Sequence, residues 1–175
     1  MERLGEEVAE AAGNNVTVLL SGESGTGREA IARRIHERSA RASAPFLEVG
    51  CGWLGVDGLA LDLFGLHEGG LLRLVRDGTL FLSDVGYIHE PLHDRLAAAL
   101  GPHAPRIIIS ARCGEFSPTG QPLETLDPRV IEVPSLRRRG ADLLPITCAL
   151  IRRLGGPGTN GLSAEAGAAI RGYSW

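Results

Sequence analysis

Residues 16 to 29 constrain this chain more than any other stretch. Val16-Thr17-Val18-Leu19-Leu20-Ser21 is apolar and β-branched at consecutive positions. A run without alternation marks a strand buried on both faces, as in a parallel sheet. Gly22-Glu23-Ser24-Gly25-Thr26-Gly27-Arg28-Glu29 follows directly, and a helical pattern begins at Arg28. Glycines there let successive backbone N–H groups turn inward as an anion-binding nest, and the helix adds the positive end of its dipole. Strand, G-x4-G turn and helix together make a phosphate-binding P-loop. Two positions depart from its common form. Arg28 stands where a Lys reaches the β and γ phosphates, and Glu29 stands where Ser or Thr meets magnesium. Arg keeps the charge, but it is planar and forked, so the exchange alters the geometry of any contact. The plain alternative is a Gly-rich turn that holds no ligand.

The remaining elements fit the sheet that such a strand requires. Leu4, Val8 and Ala11 share one face of a short helix that ends at Gly13-Asn14. The helix after the loop is expected over 28–39, with Ala30, Ile31, Ala32 and Ile35 toward the core. Further strands are expected over 46–49, 79–84, 106–110 and 129–133, with helices over 59–64 and 91–100. The stretch 117–128 is Pro-rich and reads as irregular. From Ala141 the pattern is helical, broken at Gly155-Gly156-Pro157-Gly158, and Ser163 is placed to N-cap a last helix. Strands alternating with helices imply an α/β fold in three layers around a parallel sheet. The expected division is a nucleotide-binding core over 1–140 and a partial helical lid over 141–175.

Composition narrows the function. Hydrophobic residues make up 43% and charged residues 22% of 175, which suits a globular domain with its own core. A net charge of −3 argues against a basic nucleic-acid-binding domain. No apolar run reaches the roughly 20 residues of a membrane span, and the start, Met1-Glu2-Arg3-Leu4-Gly5-Glu6-Glu7, is no secretory signal. All 18 basic residues are Arg, a bias that bears on Arg28. Cys51, Cys113 and Cys148 lack CxxC spacing, which fits a reducing cytoplasm better than a disulfide or zinc framework. His36, His67, His89, His93 and His103 share no metal-ligand spacing. Cys51 and Trp53 read as packing, and Arg137-Arg138-Arg139 as a solvated turn.

Taken together, these motifs resemble the AAA+ central domain of the sigma-54-dependent, NtrC-like transcriptional activators. Residues 22–29 match that family's GESGTGKE loop, Glu29 included. Ala32-Arg33-Arg34-Ile35-His36 with Ser39 matches its AR-IH--S helix, and Pro45-Phe46-Leu47-Glu48-Val49-Gly50-Cys51 matches PF--VNC. Asp62-Leu63-Phe64-Gly65 matches ELFG, Gly78-Thr79-Leu80-Phe81-Leu82 matches GTLFLDE, and Pro134-Ser135-Leu136-Arg137-Arg138-Arg139 with Asp142 matches PPLRER--DI. Gly172-Tyr173-Ser174-Trp175 is similar to the segment before the second sensor. The match runs in order along nearly the whole chain.

The resemblance implies a nucleotide site at Gly22, Glu23, Ser24, Gly25, Thr26, Gly27, Arg28 and Glu29, for ATP or ADP. It also implies which parts are altered. The family's Asp-Glu pair, one residue for magnesium and one to activate water, is Ser83-Asp84 here. Asp84 is thus the one candidate both for catalysis and for magnesium. Only Leu66 to Asp77 separate Gly65 from Gly78, too few for the family's sigma-54-contacting GAFTGA loop. The sensor Thr-Asn becomes Ala111-Arg112, which puts Arg112 at the sensor position. The arginine-bearing segment before Pro134 contracts to Leu123-Glu124-Thr125-Leu126-Asp127-Pro128, followed by Arg129. The sequence ends before the second sensor's Arg and shows no DNA-binding domain.

The expected function is a transcription-regulatory AAA+ module that binds nucleotide with little or no hydrolysis. It would assemble with a protein partner or as an AAA+ ring in the cytoplasm, with no direct sigma-54 remodelling and no membrane. A nucleotide-free interaction scaffold or a truncated remnant is one alternative. An active ATPase rearranged around Arg28 and Asp84 is another.

Overall fold

A computed structural model of the chain describes residues 2–52, 56–65, 70–87, 90–99, 104–114, 126–155 and 161–175. It divides into two compact units, Met1–Val133 and Pro134–Trp175.

The first unit contains α1 (Glu2–Gly13), β1 (Val18–Gly22), α2 (Arg28–Glu37), β2 (Phe46–Gly50), α3 (Val56–Phe64), α4 (Gly70–Val75), β3 (Thr79–Ser83), α5 (Glu90–Ala99), β4 (Arg106–Ala111) and β5 (Arg129–Val133). The strands form one parallel sheet in the order β2-β3-β4-β1-β5. From β1 the chain runs out to β2 at one edge and returns inward through β3 and β4. It then crosses to β5 on the far side of β1. The order therefore reverses at β1, the strand that leads into the glycine loop, and open parallel sheets bind ligands at the carboxyl side of such a reversal.

Strand alternation sends residues of β1 to both faces. Val18 and Leu20 pack with Phe81, Ile108, Ile131 and Val133 against Leu4, Val8 and Ala11 of α1 and Ala32 and Ile35 of α2. Leu19 packs with Leu80, Leu82, Ile107 and Ile109 against Leu59 and Leu63 of α3 and Leu92 and Leu96 of α5. Helices thus cover both faces, which is the expected three-layer α/β architecture. Each fully buried Leu or Ile contributes about 1.5–3 kcal/mol.

The differences from the sequence reading are local. β1 starts at Val18, where it pairs with Ile108 and Arg129, and Val16 is exposed. Ala30 faces solvent rather than the core, because the buried stripe of α2 is Ala32, Ile35 and His36, spaced three and four apart. α4 had no counterpart in the sequence reading. Cys51 is buried, and burial pushes its thiol up to about 12, which makes it inert filler. Trp53, His67, His89, His103 and residues 117–125 of the Pro-rich stretch lie outside the described residues.

His36 joins α2 to the sheet. Its Nδ1 lies 2.9 Å from the Thr79 hydroxyl at the start of β3, and both residues are buried. Burial pushes the imidazole pKa down, and nearby Arg33 and Arg106 act the same way, while Glu37 and a backbone bond at Ala44 oppose them. A histidine whose folded pKa is depressed contributes stability above its unfolded pKa, and that stability is lost as pH falls. The melting temperature should therefore drop as pH is lowered from the unfolded histidine value, about 6.5, toward the lower folded value. His36→Gln should flatten that drop in a series of thermal melts. An unchanged slope would remove His36 as its source.

The second unit opens with two 3-10 turns, Leu136–Arg138 and Gly140–Asp142, followed by α6 (Leu143–Leu154) and α7 (Ala164–Gly172). Arg137 and Arg138 are exposed, whereas Arg139 pairs with Asp142 at 3.2 Å. Ser163 caps α7 as its position implied, its hydroxyl accepting from the Ala166 N–H at 3.1 Å. Among the described residues no helix is long and apolar enough to cross a membrane.

Candidate phosphate-binding site

The site grows out of the carboxyl ends of three adjacent strands. β1 runs into the glycine loop, β3 ends at Ser83 just before Asp84, and β4 ends at Ala111 just before Arg112. The loop takes the shape its glycines permit. Gly25 and Gly27 have φ of +77° and +89°, which side chains with a Cβ rarely adopt. Thr26 is buried and closes the turn, its hydroxyl donating to the Glu23 carbonyl at 2.7 Å. Gly27 then starts α2 without offering a side-chain cap. The first N–H groups of a helix have no intrahelical partner, so they face the loop mouth as free donors with the positive end of the dipole behind them.

Arg28, the first residue of α2, supplies the local cation. Its side chain is only 10% exposed, and its Nη2 donates to Asp84 Oδ1 at 2.9 Å. Its other terminal nitrogen, Nη1, is buried and meets no hydrogen-bond partner among the described residues. A buried charged donor without an acceptor is costly, and such orphans in native folds call for an explanation. Here the orphan sits at the amino end of α2, beside the glycine loop.

Asp84 reaches Arg28 because it leaves the strand. The register is continuous through Gly50 with Ser83 and Leu82 with Ile109, so β3 has not slipped. Asp84 comes next with φ of +57°, a left-handed conformation that Asp tolerates better than most residues. Its backbone N–H donates to the Ser110 hydroxyl at 3.3 Å. Ser110 was not singled out in the sequence. Its signal was a lone hydroxyl in the apolar run Ile107-Ile108-Ile109-Ser110-Ala111. Ser83 turns its hydroxyl toward the Val49 carbonyl, 3.5 Å away.

The other candidates fall at varied distances from this centre. Glu29 is in the first turn of α2, but its carboxylate pairs with Arg33 at 3.5 Å and lies beside Glu48, whose pKa is raised by burial and by Glu29. Arg33 in turn lies 4.6 Å over the Phe46 ring. Arg112 is half-buried just past β4. Arg129 is bound to Glu10 of α1, with Nη1 2.5 Å from the carboxylate, and that contact holds the Glu10 pKa down. Gly22, Gly25, Thr26, Gly27, Arg28 and Asp84 therefore form one centre, whereas Glu29 and Arg129 are engaged elsewhere. Among the described residues no group of three or more His, Cys, Asp or Glu side chains could hold a metal ion.

Comparisons with known proteins agree with this architecture. The chain is 34% identical over 163 residues to the acetoin dehydrogenase operon transcriptional activator AcoR of Bacillus subtilis, covering 76% of this chain and 27% of that protein. It is 40% identical over 105 residues to a Nif-specific regulatory protein of Bradyrhizobium diazoefficiens, covering 54% of this chain and 18% of that one. The chain thus spans about a quarter or less of these relatives. Its fold matches NtrX from Brucella abortus, solved in complex with ATP, with a TM-score of 0.79 and 24% identity, over 100% of this chain and 47% of that chain. The sheet and its flanking helices are accordingly those of an AAA+ P-loop NTPase. The family described as the sigma-54 interaction domain matches residues 1–104, more than half of the sequence, and this chain belongs to that family.

Proposed function

We propose that this chain is a nucleotide-binding regulatory module of the sigma-54 activator type, with little or no ATP hydrolysis and no direct remodelling of sigma-54. The observation that carries nucleotide binding is Arg28, nine-tenths buried at the start of α2 with Nη1 unsatisfied among the described residues. A phosphate oxygen in the loop supplies the missing acceptor, and the uncapped N–H groups of α2 supply further donors to it. The ATP bound to NtrX, a protein of the same fold, supports the same reading.

Weak hydrolysis follows from the occupation of the reactive groups. Asp84 is the one carboxylate at the end of β3, and it is tied to Arg28. The oxygen held by Arg28 is occupied and does not orient an attacking water molecule. Ser83 stands where a second carboxylate would hold magnesium, and it offers a neutral hydroxyl. Arg129, the basic residue nearest the contracted segment, is held by Glu10.

The short run between Gly65 and Gly78 supports the loss of the sigma-54 contact. The match to the Bradyrhizobium regulator is 105 residues long yet takes in 54% of this chain, so that protein contributes more residues to the shared stretch. Output then passes to a protein partner, or to further copies in an AAA+ ring, in the cytoplasm.

A fluorescent ATP analogue titrated into the purified chain should bind saturably at micromolar levels. Phosphate release should stay below about 0.1 per second, under the range of working phosphoryl-transfer enzymes. Faster release, abolished by Asp84→Ala, would instead establish an active ATPase. Absence of binding by the folded chain would point to an interaction scaffold with an empty loop.

A further inference from the structure

We infer that the loop takes a nucleoside diphosphate without a divalent cation, the Arg28–Asp84 ion pair standing where the metal would act. The inference rests on the nucleotide-binding reading above and names the ligand form that this particular site accepts.

Magnesium at a loop of this kind needs a carboxylate at the neighbouring strand end. That donor is absent, because Ser83 replaces it and its hydroxyl is directed to Val49. Glu29, which the family's loop also carries, has its carboxylate on Arg33. Asp84 has one oxygen on Arg28 at 2.9 Å, and a divalent ion would have to compete with that bond and repel the guanidinium. The donor set does not fit magnesium.

The same residues fit a diphosphate. A P-loop holds phosphates chiefly through backbone N–H groups, and the start of α2 offers its first ones with no side-chain cap on them. The planar guanidinium has two forks, one for Asp84 and one left for an anion. Asp84 fixes the guanidinium in place, so little rotamer freedom remains to be lost on binding. It also sets a limit. A third phosphate would reach the same guanidinium and meet the Asp84 carboxylate bonded to it. Without a metal between them, the two negative charges repel, so a triphosphate is disfavoured.

The test is calorimetric titration of the intact chain with ADP and with a non-hydrolysable ATP analogue, each in excess EDTA and in magnesium. ADP affinity should agree within about twofold between the two buffers, and in EDTA the triphosphate should bind about tenfold more weakly than ADP. Asp84→Asn keeps the size of the side chain and a hydrogen-bonding oxygen toward Arg28 while removing the charge. It should narrow the gap between the two nucleotides, and its melting temperature serves as a check on folding. ADP binding that falls tenfold or more in EDTA would overturn the metal-independent site. Triphosphate binding as tight as ADP in the wild-type chain would overturn the diphosphate preference. A folded chain that binds neither nucleotide in either buffer would refute the nucleotide reading itself, a pattern distinct from both.

Discussion

Arg28→Ala should strongly weaken the proposed nucleotide binding at concentrations expected to saturate the wild-type chain. The expected loss is about ten- to a hundredfold in Kd, because a hydrogen bond to a charged group contributes about 1.5–3 kcal/mol and the guanidinium is the loop's one charged side-chain donor. The substitution should leave the fold intact. Asp84 loses its partner, but its side chain is 32% exposed and water can solvate it. Thermal melting of the variant beside the titration separates lost binding from lost folding. Arg28→Lys retains the charge and should retain binding within about tenfold, since an ammonium on a flexible stem is the more usual P-loop cation. A variant that binds as tightly with Ala as with Arg would remove Arg28 from the site.

The largest expected effect on stability belongs to Gly78, at the amino end of β3. A Cβ built there lies 2.1 Å from the Pro45 carbonyl oxygen and 3.0 Å from the Val75 carbonyl oxygen. Both are backbone atoms with fixed roles. Pro45 accepts from the Thr79 N–H at 2.9 Å, which sets the β2–β3 register, and the Val75 carbonyl accepts from Gly78 itself. The Gly78 carbonyl is also committed, taking the Arg106 N–H at 3.0 Å and Arg41 Nη1 at 3.1 Å. Three strands and the end of α4 therefore close on one glycine, and none can yield without losing a hydrogen bond. Gly78→Ala should destabilise the chain by about 3 kcal/mol or more, at the upper end of overpacking costs. Gly167→Ala is the internal control. Its Cβ would meet Leu162 and Leu144 at ordinary contact distances, 3.5 and 3.8 Å, within α7. It should be neutral or stabilising by up to about 1 kcal/mol, the helix propensity difference between Gly and Ala. Urea unfolding of both variants checks the pair, and equal effects would contradict the packing argument.

The parts of this fold that could be read in advance are those whose residues face the interior on both sides. The β1 and β4 runs, Val18-Leu19-Leu20 and Ile107-Ile108-Ile109, are apolar at every position because helices cover both faces of the sheet. The glycine loop was legible because its shape depends on backbone conformations that glycine alone adopts freely. Ser163 was legible because capping is local. α4 was hidden because six residues are too few to show a helical period. His36 was hidden because a lone histidine gives no sign of its burial, although its spacing from Ala32 and Ile35 places it on their stripe. The pairing of Arg28 with Asp84 joins residues 56 positions apart. Sequence reasoning assigned Arg28 to the phosphates and Asp84 to catalysis or magnesium, and only the meeting of the β1 and β3 ends brings one against the other.

The central claim is that the loop from Gly22 to the start of α2 grips phosphate. It is tested most directly by amide chemical shifts of the 15N-labelled chain during titration with ADP. The account predicts that the largest changes fall on Gly25, Thr26, Gly27, Arg28 and Glu29, with a smaller change at Asp84 as its bond to Arg28 adjusts. A well-dispersed spectrum that does not move, or movement confined to residues away from the loop, would contradict it.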